Sequence, residues 1–190
     1  MIENLVRSTF SRLITKQSNL TLKSTVPSTR ELKSKFESLS DLGIYLHIPF
    51  CDRICPYCPY NKEIYHPDIA KQYTIAVMKE IAFYSEMVGD MPISSFYIGG
   101  GTPTTMLHNG IKDIISYIYD HFNMQCSIHM ESHPTHLSND NLDAIQAMGI
   151  TNLSIGVESL QDRHLSVLKR PYTTDQIINI INSVVARGFD

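Results

Sequence analysis

GIYLHIPFCDRICPYC, residues 43–58, runs from a short apolar stretch straight into three cysteines spaced C-x-x-x-C-x-x-C. Residues 43–48 read as a strand, so the cysteines occupy the loop behind its C-terminal end. A structural tetrathiolate site wants a fourth thiolate close by. The only other cysteine, Cys126, lies far along the chain in a different kind of segment. The loop therefore offers three thiolates and leaves one coordination position open.

Outward from this loop the chain alternates. Residues 68–88 carry apolar residues at helical spacing, with Asp68 as the expected N-cap. Residues 93–98 read as a second strand that ends at Gly99-Gly100-Gly101. A helix over 110–122, a strand over 125–131 and a helix near 139–148, capped by Ser138 or Asn139, come next. A strand over 151–157 is followed by helical segments near 161–169 and 174–187, the last capped by Thr173 or Thr174. The order β-α-β-α-β-α-β-α predicts an α/β fold with a parallel sheet, right-handed crossovers and strands buried on both faces. Barrel and doubly wound arrangements both satisfy it. The chain stops at Phe189-Asp190, where the alternation next requires a strand. Two regions are expected: an N-terminal helical, Ser/Thr-rich arm over 1–41 and a core over 42–190.

The 190 residues suit one domain with a sizeable core. A net charge of −3 gives no reason to expect nucleic acid or an anionic membrane as partner. No apolar run is long enough to span a bilayer. Residues 1–30 hold five basic residues, one acidic residue (Glu3) and ten Ser or Thr, and Ile2, Leu5, Val6, Phe10 and Leu13 can share a helical face. That composition is like an organellar transit peptide, but a helix packed on the domain is the preferred reading, with a cytoplasmic location. Without a secretory signal, clustered cysteines argue for metal or redox chemistry over disulfides.

Parallel α/β folds carry their chemistry at the C-terminal ends of the strands. The cysteine loop, GGGTP (99–103), Glu131 with Ser132 and His133, and Glu158 all fall there. Each has a plainer reading. The cysteines suit zinc with His47 or His66 as a fourth ligand. The glycines suit a simple turn or close backbone approach to a polar ligand through N–H and C=O groups. The two glutamates suit solvated strand ends, and Cys126 suits an inert core position.

Tyr45-Leu46-His47-Ile48-Pro49-Phe50-Cys51, Cys55-Pro56-Tyr57-Cys58 and GGGTP, in this order and spacing, resemble the radical S-adenosylmethionine (SAM) enzymes. Within them the chain is similar to the HemN-like branch, which holds oxygen-independent coproporphyrinogen III oxidases, HemW-type heme chaperones and radical methyltransferases. The resemblance runs from about residue 43 to the end. It implies the N-terminal portion of a partial (βα)6 barrel, about four βα units, cut before strand five. It implies that Cys51, Cys55 and Cys58 hold a [4Fe–4S] cluster whose open iron takes the amino and carboxylate groups of SAM. An electron from the cluster would break the sulfonium S–C5′ bond, giving methionine and a 5′-deoxyadenosyl radical that abstracts hydrogen from substrate. The cofactors bring the difficult chemistry, and the protein brings position and exclusion of water.

Carried over to this chain, the resemblance places Tyr45 and Tyr57 beside SAM. Gly100, Gly101, Thr102 and Glu131 fall at its amino group and Arg170 at its carboxylate, where a planar fork suits the anion. Glu158 falls at the ribose, where the oxidases carry glutamine. Tyr60 stands where the oxidases have a fourth cysteine, which argues against coproporphyrinogen as substrate. The implied partners are a small-molecule substrate, tetrapyrroles among the candidates, and an electron donor such as flavodoxin or ferredoxin. A heme-carrying protein on the same fold is the alternative. A further ribose ligand, an aspartate on strand five, would lie beyond Asp190, so the resemblance implies an N-terminal piece of a longer enzyme.

Overall fold

The computed structural model describes residues 28–190. The apolar face expected at Ile2, Leu5, Val6, Phe10 and Leu13 lies outside the described residues. The chain divides into two units, Met1–Lys35 and Phe36–Asp190. Helix α1 (Thr29–Phe36) begins in a capping box. The Ser28 N–H and hydroxyl both donate to Glu31 Oε2 at 2.8 Å, and the Glu31 N–H returns to Ser28 Oγ. Those donors hold the Glu31 carboxyl below its ordinary pKa.

In the second unit four parallel strands lie in the order β1 (Leu42–Ile48), β4 (Pro92–Gly100), β6 (Ile128–Ser132), β7 (Ile150–Ile155). Two short strands, β2 (Phe50–Cys51) and β3 (Glu63–Ile64), pair with each other beside the cysteine loop, and β5 (Asn123–Met124) pairs with β4. The helices between them are α2 (Pro67–Val88), α3 (Ile111–His121), α4 (Asn139–Ala147), α5 (Asp162–Val167) and α6 (Thr174–Ala186). The parallel α/β alternation is the expected one. At the chain end, the Asp190 N–H and C=O bond to Thr151 O and Leu153 N of β7.

The sheet's two faces differ, which corrects the expectation of strands buried on both. Leu46 and Ile48, Phe96 and Ile98, and Ile128 and Met130 point toward the helices and join one core with Ile81 of α2, Ile114 and Ile118 of α3, Leu142 of α4 and Val184 of α6. The residues alternating with them are Tyr45 and His47, Tyr97, His129 and Glu131, and none of these is buried. Strand side chains alternate with period two, so polar and aromatic residues at every second position leave that face open. Tyr45, Tyr97 and His129 stand in register across it, with ring centroids 6.1 and 6.4 Å apart.

Local signals decide the element ends. Helix α2 starts one residue before Asp68: Pro67 occupies the first turn and His66 is the N-cap, with no side-chain cap bond. Proline fits there because its missing N–H would be unpaired anyway. Ser138 caps α4 through Asn141 N–H. Thr173 opens α6 in a full capping box with Gln176. Thr173→Ala is expected to lower stability by about 1 kcal/mol, read as a lower urea midpoint; an unchanged midpoint would mean packing alone holds that end. Cys126 is not inside a strand. It lies half-buried between β5 and β6, because polar Gln125 and Ser127 break the apolar run and Gln125 N–H bonds to Ile93 O.

Candidate functional site

At the C-terminal ends of the four long strands is a cavity of about 640 Å³, lined by the cysteine loop, Gly100 to Pro103, Glu131 to His136 and Arg170. Cys51 is held by strand pairing: β2 pairs with β3, and Tyr65 N–H donates to Cys51 O at 2.9 Å. The rest of the loop is tied by a turn from Cys58 N–H to Cys55 O and by the Lys62 ammonium, which donates to Cys58 O at 2.5 Å and Tyr60 O at 3.1 Å. All three thiols are free, and none is bridged to another. Burial pushes the Cys51 thiol up and the neighbouring Cys58 and Cys55 add to it, while the Thr102 hydroxyl and Lys62 act the other way. A buried thiol such as Cys51, with two more cysteines on the same loop, suits a cationic centre that binds it as a thiolate.

The two histidines offered as a fourth zinc ligand, His47 and His66, do not line this cavity. Among the described residues no three His, Cys, Asp or Glu side chains close on one ion-sized position, as a tetrahedral site requires. His47 spends both ring nitrogens on Tyr45 Oη (3.1 Å) and Asn61 O (3.4 Å), and His66 is the α2 N-cap.

The glycine run is shaped first by its own chain. Gly100 has φ +119°, and a Cβ there would lie 2.8 Å from Ile48 O; a Cβ on Gly101 would lie 2.7 Å from Phe50 O. Only glycine lets this strand end pack so closely on the segment that enters the cysteine loop. The N–H groups are already used: Gly100 donates to Glu131 Oε2 (3.0 Å), Gly101 to Ile48 O (2.7 Å) and Thr102 to Phe50 O (2.8 Å). This corrects the reading in which N–H groups bind the ligand. The segment's remaining contribution is carbonyl oxygen, with the Glu131 carboxylate beside it, a set of acceptors that suits an ammonium group.

Across the cavity, Arg170 follows α5 through a Schellman motif. Lys169, at φ +55°, takes the left-handed position usually given to glycine, Lys169 N–H bonds to Ser166 O and Arg170 N–H to Leu165 O. The motif turns Arg170 inward, and its side chain is only 7 % exposed. One end of the guanidinium, Nη2, is ion-paired with Glu158 and reaches Gly156 O; Nη1 meets His133 Nε2 at 2.9 Å. Nε is buried with no partner. The tyrosine rings of Tyr57 and Tyr172 each lie 5.8 Å from the guanidinium carbon, and burial keeps the Tyr57 phenol protonated well above its usual range. Glu158 itself has φ +66°, a left-handed conformation that costs of order 1–3 kcal/mol in a residue with a Cβ. It sits where consecutive tight turns from Ile155 to Ser159 close the end of β7.

A three-residue chain of contacts ties the cysteine loop to the rest of the rim. Asp52 Oδ2 accepts from His136 Nε2 at 2.6 Å, and His136 Nδ1 meets the buried Thr104 hydroxyl at 2.8 Å.

The matched family is the Radical SAM superfamily, over residues 45–190. The chain belongs to the radical SAM superfamily. It is 30% identical over 151 residues to oxygen-independent coproporphyrinogen III oxidase of Salmonella typhimurium, covering 78% of this chain and 33% of that protein. It is 28% identical over 149 residues to heme chaperone HemW of Bacillus subtilis, covering 77% and 39%. The solved structure of coproporphyrinogen III oxidase (HemN) from Escherichia coli, described as a radical SAM enzyme, superposes with a TM-score of 0.77 at 25% identity, over 84% of this chain and 38% of that one. These likenesses place the chain in the HemN/HemW-like branch, and it spans about a third to two fifths of the length of these relatives.

Of the residues singled out from the sequence, this radical SAM chain brings Cys51, Cys55, Cys58, Tyr57, Gly100, Gly101, Thr102, Glu131, Glu158 and Arg170 to one cavity. Tyr45 does not line it; its ring stands on the open sheet face, 58 % exposed. Sequence reading missed Asp52, Lys62, His136 and Tyr172. Their roles depend on long-range contacts that no local spacing announces. The repeated histidine in SHPTH (132–136) was the available signal.

Proposed function

We propose that residues 42–190 form the cofactor-binding core of a radical SAM enzyme: Cys51, Cys55 and Cys58 hold a [4Fe–4S] cluster, and SAM binds beside it. The observation that carries this reading is the pairing, across one cavity, of three free thiols with a buried arginine that has an unpartnered Nε. An orphaned, buried N–H donor costs stability unless a ligand satisfies it, and a carboxylate is the partner its planar geometry suits. Opposite it, Glu131 and the carbonyls of Gly100 and Gly101 suit an ammonium. The amino-acid end of SAM carries both groups. Tyr57 and Glu158 border the same cavity and face the remainder of the ligand, while Tyr45 bonds to His47, which packs beside Gly100. When both are bound, they supply one-electron reductive cleavage of the sulfonium.

The chain's own part is to hold and to shield. Lys62 and the β2–β3 pair fix the cysteine loop, Arg170 and Glu131 orient the ligand's two charges, and the rim limits water. Anaerobic reconstitution should yield about four irons and four sulfides per chain; a preparation that takes up a single zinc ion in their place would overturn the reading.

The substrate is proposed to be a small molecule, tetrapyrroles among the candidates, with an electron donor such as flavodoxin or ferredoxin. Tyr60, exposed on the loop, stands where the oxidase pattern has a fourth cysteine, and this favours a heme-carrying role as the second reading over coproporphyrinogen chemistry. No decarboxylation of coproporphyrinogen III is expected with dithionite and SAM. Formation of protoporphyrinogen would show that Tyr60 had been given too much weight, and stable heme uptake without organic turnover would favour the carrier.

A further inference from the structure

We infer that His133 is the positioning residue of this SAM site: a neutral imidazole that accepts from Arg170 and so aims the guanidinium's remaining donors into the cavity. The inference rests on Arg170 meeting the SAM carboxylate. Its basis is the geometry of the contact. A guanidinium only donates, so the 2.9 Å approach of Arg170 Nη1 makes His133 Nε2 the lone-pair nitrogen. The ring proton is then on Nδ1 and is donated to the Thr135 hydroxyl at 2.7 Å. In that tautomer the longer approach of the Thr135 N–H to Nδ1, at 3.4 Å, is only a contact.

The arrangement divides the work on Arg170. Glu158 and Gly156 O occupy Nη2, His133 meets Nη1, and the buried Nε has no partner. A second carboxylate in place of His133 would satisfy Nη1 as well, but it would also repel an incoming carboxylate ligand. A neutral acceptor fixes the fork without adding a second negative charge beside the ligand's carboxylate. The groups facing His133 maintain the neutral state. Arg170, His136 and Arg53 oppose a second positive charge, Asp52 alone favours one, and the Tyr172 ring lies 5.6 Å away. Burial is the largest influence, and together they push the His133 pKa down to about 4. The unfolded chain takes up this proton near 6.5 and the folded chain only near 4, so this histidine's contribution to stability falls as pH drops through that window.

The test uses the reconstituted chain and calorimetric titration with SAM. His133→Leu, which removes the acceptor and keeps the bulk, should bind SAM about tenfold more weakly at equal iron content. His133→Asn, whose side-chain oxygen can accept from Arg170, should stay within about threefold of the wild type. A leucine variant that binds like the wild type, or an asparagine variant as weak as leucine, would overturn the positioning role. Independently of SAM, ¹⁵N–¹H correlation of the imidazoles with the cluster oxidised should show His133 protonated on Nδ1 at neutral pH, and Arg170→Ala should raise its pKa. A proton on Nε2, or a pKa indifferent to Arg170→Ala, counts against the contact. A wild type that binds no SAM refutes the reading of the cavity, and the tautomer then decides the His133–Arg170 contact separately.

Discussion

Replacing Cys51, Cys55 and Cys58 together by alanine is expected to abolish the iron–sulfur chromophore, while Cys126→Ala leaves it intact. The contrast follows from placement. The first three line one cavity on a loop fixed by β2–β3 pairing and by Lys62, and Cys126 sits between β5 and β6, packed against the core and outside that cavity. Thiolates are the cluster's attachment, so removing all three leaves nothing to hold it. Single replacements should also fail, because two thiolates and an open rim cannot retain a four-iron cluster. Iron and sulfide assays with the visible spectrum report the result. A triple variant that still holds about four irons would remove the basis of the assignment.

Arg170→Ala is expected to weaken SAM binding at least tenfold without emptying the cluster. Losing a charged partner for a carboxylate costs about 1.5–3 kcal/mol, roughly ten- to more than a hundredfold in affinity. The replacement also strands Glu158, the arginine's ion-pair partner, at the same rim. Arg170→Lys should rescue little, since a point charge cannot meet Glu158, His133 and a ligand at once. Titration of SAM into variants of matched iron content is the measurement; an affinity equal to the wild type would return Arg170 to a structural role at the end of α5.

Most of the fold was legible because its signals are local and periodic. The apolar alternation of Leu46 and Ile48, or Ile128 and Met130, marks buried strand faces, and Ser138 and Thr173 mark helix starts. The open face was misjudged because Tyr45, Tyr97 and His129 look apolar or neutral in sequence, and only the register shows them standing together away from the helices. The extent of β6 was misjudged for the opposite reason. QCSI looks strand-like, and the Gln125 backbone pairing with Ile93 ends one short strand before the next begins.

The site divides in the same way. The cysteine spacing and glycine run are contiguous, so they could be read directly, although the use of the glycine N–H groups within the protein could not. Arg170 looks like an exposed helix end in sequence. Its burial comes from the left-handed Lys169 and from partners that lie 12 to 37 residues away, Glu158, Gly156 and His133. Asp52 meets His136 across 84 residues. No spacing rule reaches that far.

The most direct test of a cluster with SAM bound beside it is the EPR spectrum of the anaerobically reduced, reconstituted chain, recorded before and after adding SAM. A SAM molecule held by Arg170 and Glu131 against the three-cysteine cluster should change the reduced cluster's g-values and line shape, saturably and at stoichiometric ratio. A spectrum that stays the same at saturating SAM would contradict the account.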